Sequence, residues 1–139
     1  MPETRPRRVR IKVWVEPYAV ARLASIPNVA LLDPGGPPVA LVVGYGEISL
    51  LAPEAVVDAL PETAAEVSRG WRALTLDTVF PLETTGVLAA VSRSLAEVGI
   101  PVMTFSSFAT DHFLVAGSQV ERALAALNQV RLERFLSTR

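Results

Sequence analysis

The sequence predicts an α+β fold built from two βαββαβ sandwiches in tandem, each an antiparallel sheet with helices on one face. Three observations predict it. Short runs of alternating apolar and polar residues occur in both halves, bounded by Pro, Gly and Ser. Apolar residues recur at helical spacing within 85–98 and 118–127. Finally, VVGYGEISLL-APE in the first half corresponds to MTFSSFATDHFLV-AGSQVE in the second, a weak repeat of strand, hairpin and helix.

The first half opens on a strand. Val9, Ile11, Val13 and Val15 alternate with Arg10, Lys12 and Trp14, and Glu16-Pro17 is expected to break it. Tyr18–Leu23 suits a helix start or a strand. Pro27, Pro34, Gly35, Gly36, Pro37 and Pro38 leave room for at most a short helix before Asp33. Val39–Val43 reads as a buried strand, Gly44-Tyr45-Gly46-Glu47 as a hairpin turn, and Ile48–Leu51 as the return. Pro53-Glu54 opens a helix that runs to Leu60 and stops at Pro61. The polar stretch Glu62–Gly70 reads as a linker. The domain division is therefore set at residues 1–66 and 67–139.

The second half repeats the order. Trp71–Phe80 alternates as a strand and Pro81–Thr84 forms a loop. A helix is expected from about Thr85 to Val98, with Leu88, Val91, Leu95 and Val98 on its apolar face and Gly99 as its C-cap. Strands Val102–Phe105 and Thr110–Val115 flank a turn at Ser106–Ala109. Ser118 and Glu121 match a capping box for a helix whose face is Val120, Leu124 and Leu127. The periodicity fails at Arg131, so Asn128–Arg139 fits a fraying helix or a last strand.

Composition narrows the function. Half of the 139 residues are apolar and 19% are charged, which supports a packed core. The formal net charge of −1 argues against a nucleic-acid partner. The early basic cluster Arg5, Arg7, Arg8, Arg10 and Lys12 reads as a solvated arm and the polar face of a strand, because no basic helix or aromatic platform follows. Without cysteine, disulfides and thiolate metal sites are excluded, and His112 alone does not suit a histidine metal site. No cofactor is expected. RIKVWV is too short and too charged for a secretory leader. Apolar runs are shorter than the ~20 residues of a membrane helix. A soluble cytoplasmic protein, without membrane contact, is the expectation.

These residues resemble a known family. The corner Thr85-Gly86-Val87-Leu88, the corner Leu95-Ala96-Glu97-Val98-Gly99-Ile100-Pro101-Val102, and the hairpin from Ser106 to Val115 are similar to the ACT domain. The resemblance is to the ferredoxin-like ACT pairs of aspartate kinases and of CASTOR-type arginine sensors. The first half resembles the partner domain more loosely, through Tyr18–Leu23 and Glu47-Ile48-Ser49-Leu50. The resemblance implies a non-catalytic amino-acid sensor, an allosteric regulatory module. It also implies homodimers through side-by-side sheets, with the ligand at an ACT–ACT interface. No kinase domain accompanies the pair in these residues, a departure from the aspartate kinases that leaves a separate regulated protein as the partner.

The resemblance assigns ligand-binding roles to particular positions. Thr84, Thr85, Gly86, Val87 and Leu88 would hold the ligand's carboxylate on backbone N–H groups at a helix start, where the helix dipole favours an anion. Gly86 permits close backbone approach. An ordinary capped helix, with Thr84 or Thr85 as the cap, uses the same residues. Ser106 and Asp111 fall at the polar positions of the hairpin, where a carboxylate suits an ammonium or guanidinium group. Asp111 as an Asx turn is the plainer alternative. Thr110 completes the polar set. Phe105 and Phe108 would be apolar walls, or else core or dimer interface.

Three other chemistries fit less well. Ser106, Ser107, Asp111 and His112 suggest a hydrolase, but Asp111 and His112 are adjacent in a strand and point to opposite faces, and no GxSxG elbow is present. Gly44-x-Gly46 lacks the third glycine and the helix of a dinucleotide fingerprint. Paired carboxylates for acid–base work are absent. The expected function is thus amino-acid binding without catalysis. A structural or interaction module that lost its ligand is the alternative, and a subunit of a two-chain enzyme the third reading.

Overall fold

A computed structural model describes residues 9–61 and 64–131. Its elements, in chain order, are strands β1 (Ile11–Arg22), β2 (Ala40–Gly44) and β3 (Glu47–Pro53), helix α1 (Glu54–Asp58) and strand β4 (Glu66–Leu76). Helix α2 (Val87–Glu97), strands β5 (Met103–Ser106) and β6 (Asp111–Ala116), and helix α3 (Val120–Leu127) follow. The chain divides into two compact units, and the boundaries fall inside β1 and β4. Among the described residues, one unit comprises 9–13 and 74–131, the other the span from 14 to 73. We call them the helical unit and the loop unit. The division therefore does not sit at the polar stretch 62–70. Residues 66–70 of that stretch are strand rather than linker, and 62–63 lie outside the described residues.

In the loop unit the strands run β2–β3–β1–β4. β3 pairs antiparallel with β1 from Tyr18↔Pro53 to Arg22↔Ser49, and with β2 from Ala40↔Leu51 to Gly44↔Glu47. The chain continues through Pro17 instead of breaking there. Proline lacks an N–H, and Pro17 lies just before the β3 ladder begins, so no bond of that ladder is lost. Tyr18–Arg22 resolves as strand. The hairpin turn places Tyr45 at φ 53° and Gly46 at φ 78°, the doubly positive pattern of a type I′ turn. β2 is an edge strand, and Val42 and Val43 are exposed, against the expectation of a buried strand.

Where a first helix of a complete βαββαβ unit would stand, residues 23–39 form a loop with one 3-10 turn, Val29–Leu31. Its prolines and glycines remove donors and fix φ. α1 is a single turn and a half. Pro53 is its N-cap residue, and Glu54 accepts the Gly70 N–H at 3.0 Å. The core of this unit gathers Ala19, Ala21, Leu23, Leu50, Ala52 and Val57.

In the helical unit the order is β1–β4–β6–β5, and β5 pairs antiparallel with β6 from Met103↔Leu114 to Ser106↔Asp111. α2 buries Val87, Val91 and Leu95, spaced four apart, while Leu88 and Val98 are exposed. The apolar stripe thus begins one residue earlier than the spacing of Leu88, Val91, Leu95 and Val98 implied. α2 ends in a Schellman motif: Gly99 at φ 71°, Gly99 N–H to Ala96 O at 3.0 Å, and Ile100 N–H to Leu95 O at 3.0 Å. Ala123 and Leu127 of α3 join Leu74, Leu76, Phe113 and Val115 of the strands in the same core.

The expected capping box does not form. Gly117–Gln119 is a 3-10 turn, and α3 begins after Gln119 without a side-chain cap, because the turn draws Ser118 out of the cap position. Past α3, Val130 is buried and Arg131 makes an isolated bridge. The remainder of Asn128–Arg139 lies outside the described residues.

Candidate functional site

The site is built by two local features of the helical unit. The first is the start of α2. Gly86 is its N-cap residue at φ 88°, a conformation that glycine adopts without a Cβ penalty. No side chain caps the helix, so neither Thr84 nor Thr85 plays that part. Its first backbone bond is Ala90 N–H to Gly86 O at 3.0 Å. The N–H groups of Val87, Leu88 and Ala89 therefore precede the ladder and carry the positive end of the helix dipole.

The second feature is the β5–β6 hairpin. Ser106 and Asp111 are paired across the last rung, and Ser106 Oγ donates to Asp111 Oδ1 at 2.5 Å. Ser107 N–H donates to Thr110 O at 2.9 Å, closing the turn, and the hydroxyls of Ser107 and Thr110 bond one another. An Asx turn is not what Asp111 makes; its side chain accepts from a cross-strand hydroxyl.

Between these features lies a cavity of about 290 Å³. Of the ten residues the sequence suggested, eight line it: Thr84, Gly86, Val87 and Leu88 from the helix side, and Ser106, Phe108, Thr110 and Asp111 from the hairpin. Thr85 and Phe105 do not. Phe105 is paired with His112 across the strands, and the two rings pack at 5.1 Å, which aims Phe105 away from the Ser106–Asp111 pair. The loop residues Phe80, Pro81 and Leu82 complete the wall, together with Ala89, Ser107 and Ala109. Sequence reasoning missed these six. The available signal was the position of Pro81 and Leu82 immediately before the Thr84–Leu88 corner.

His112, which the sequence brought forward only in the hydrolase reading, also belongs to this region. It is buried in the strand, and its two ring nitrogens each meet a threonine hydroxyl: Nδ1 with Thr75 Oγ1 and Nε2 with Thr110 Oγ1, both at 2.9 Å. Burial holds the imidazole below the ordinary histidine range, and the nearby Asp111 charge opposes that shift. Asp111 and His112 do point apart, and Ser106 bonds the aspartate rather than the histidine. No serine–histidine–aspartate line forms from these residues. Among the described residues, no cluster of three or more His, Cys, Asp or Glu could hold a metal ion. Among them, too, no helix is long and apolar enough to cross a membrane.

Comparison with known proteins bears on this geometry. Residues 66–129, which include both features, match the ACT domain family. The chain is similar in structure to a protein from Agrobacterium tumefaciens, with a TM-score of 0.70, 28% identity, and 87% of each chain covered. It is also similar to a protein of unknown function from Vibrio cholerae, at TM-score 0.65 and 22% identity over 85% of this chain and 86% of that one. The regulatory subunit of aspartate kinase from Thermus thermophilus has the same fold, at TM-score 0.59 and 17% identity over 88% of this chain and 97% of that one. No curated protein matches. Residues 66–129 are therefore similar to the ACT domain family, and the ACT-like α+β fold is one shared with that aspartate kinase regulatory subunit.

Proposed function

We propose that this protein is a non-catalytic regulatory protein that binds a small amino acid in the pocket of its helical unit. The observation that carries the reading is the opposition, within one cavity of about 290 Å³, of an uncapped helix start and a carboxylate. A zwitterion has complementary ends. Its carboxylate suits the N–H groups of Val87, Leu88 and Ala89, and its ammonium suits Asp111. The volume lies at the small end of ligand pockets, as a single amino acid requires. A regulatory role is consistent with the resemblance to aspartate kinase regulatory domains.

The ligand would act by population shift, favouring one packing of an ACT–ACT interface. The proposal includes a homodimer through side-by-side sheets. It also includes a cytoplasmic setting and a separate protein as the regulated target. Thermal unfolding against a panel of all proteinogenic amino acids, with nucleotides as controls, tests the reading. A ligand at 100 times its Kd adds about 2.7 kcal/mol and raises the midpoint by several degrees. A rise with one or two related amino acids is expected. No rise with any of them would favour an interaction module that keeps the fold without the ligand.

A further inference from the structure

We propose that His112 is a positioning residue of this site and makes its hold on the ammonium depend on pH. The inference rests on the proposed site and adds a control to it. Asp111 and His112 are neighbours in β6, so their side chains leave the strand on opposite faces. The carboxylate lines the cavity, and the imidazole is buried behind the wall. One hydrogen-bonded line joins the two. Thr75 Oγ1 meets Nδ1 and Thr110 Oγ1 meets Nε2, each at 2.9 Å, and the Thr110 hydroxyl bonds that of Ser107. Thr110 and Ser107 both line the cavity.

The protons on the ring decide how that line runs. A neutral imidazole has one donor nitrogen and one acceptor, so the Thr110–Ser107 pair can run in either direction. A protonated ring donates from both nitrogens. Thr110 must then accept from Nε2 and give its own proton to Ser107, so one arrangement of the hairpin hydroxyls is lost. The charge acts as well. Burial disfavours the protonated ring, and the Asp111 carboxylate favours it. An ammonium that takes up the Asp111 charge removes that support. By reciprocity, a proton on His112 weakens binding of the ammonium by the same factor. The neighbouring strands carry further charges: Lys12 on β1, and Asp77 just past β4, which pairs with Arg10 at 3.6 Å. β5 presents the Phe105 ring, and α2 and α3 share a core with Phe113 and Val115 on the other face. Asp111 is the charge that acts on the imidazole.

The test is calorimetric titration of the full chain with each proteinogenic amino acid at pH 7.5 and pH 5. Histidine is left out because its own side chain titrates in that range. An amino acid that binds is expected to do so about two- to fivefold more weakly at pH 5. His112→Gln carries no charge but keeps a donor and an acceptor, and it is expected to bind equally at both values. A second readout needs no variant, since His112 is the one histidine of the chain. Its ring resonances, followed by NMR against pH, are expected to titrate about half to one pH unit lower when that amino acid is saturating. Equal affinity at both values, a slope that survives in His112→Gln, or a ring midpoint that the amino acid does not move would overturn the inference while leaving an amino-acid site in place. Silence from every amino acid at both values would overturn the site itself, and this inference with it.

Discussion

The loop unit and the helical unit each pair a strand hairpin with helical structure, yet only the helical unit brings a helix start against a hairpin end. After β1 the chain enters a Pro- and Gly-rich loop with one 3-10 turn. After β4 it enters a short loop and an eleven-residue helix whose first N–H groups are uncapped. The hairpins differ as well. Tyr45-Gly46 closes β2–β3 in a tight turn, with Tyr45 fully exposed. The β5–β6 turn is longer and polar, and it carries the Ser106–Asp111 pair. A repeated strand order does not by itself repeat a pocket. The site needs a helix long enough to have a dipole and a hairpin that leaves a carboxylate near it.

Core substitution should separate the units most strongly. Leu95→Ala empties a fully buried position on α2 and is expected to cost about 3 kcal/mol in denaturant unfolding. Val57→Ala, on the short α1, is expected to cost about 1.5 kcal/mol from the two carbons lost. Equal costs would break the contrast. Next in size is Asp111→Ala. Losing a hydrogen bond to a charged group costs about 1.5–3 kcal/mol, so the affinity for ligand should fall about ten- to a hundredfold while the unliganded midpoint moves little. Unfolding of this variant, or unchanged binding, would refute the assignment of Asp111.

Three smaller effects follow. Gly99→Ala places a Cβ where nothing lies within 4 Å, so the cost isolates the positive φ, about 1–2 kcal/mol. His112 should give a pH dependence. Its folded pKa lies below the ordinary value of 6.5, so the unfolded chain binds the proton more readily. The stability is present above pH 6.5 and is lost as pH falls through the folded value. His112→Gln should flatten this acid limb in unfolding curves taken between pH 7.5 and 5, and an unchanged slope would assign it to other groups. Asp58→Asn should do least. Arg69 holds the Asp58 carboxyl below the usual range at 2.7 Å, but the pair is exposed, and its loss should leave the unfolding midpoint where it was.

Much of this architecture was legible because local physics and tertiary structure agree. Gly99 marked the end of α2, Gly44–Glu47 the first hairpin, and the prolines of 27–38 the missing helix. The failures have specific causes. Pro17 reads as a breaker, but it sits outside the β3 ladder and costs that ladder nothing. Leu88 fits the apolar spacing as well as Val87 does; only the start at Gly86 decides which of them faces the core. The Ser118–Glu121 spacing permits a capping box, and a 3-10 turn removes it. Eight of the residues lining the cavity were legible because two short segments, 84–88 and 106–111, carry them. Phe80, Pro81 and Leu82 were not, since their part depends on how the loop folds back onto the helix start. Nor does sequence reveal that the one histidine bridges Thr75 and Thr110.

The proposed site is tested most directly by an amide NMR titration of the labelled protein with the amino acid that most raises its unfolding midpoint, read residue by residue. Saturable shifts are expected at Val87, Leu88 and Ala89 and at 106–111, with Asp111→Ala weakening both sets together. Shifts confined to the loop unit, or shifts at 87–89 that saturate at the same concentration without the Asp111 carboxylate, would contradict the proposal.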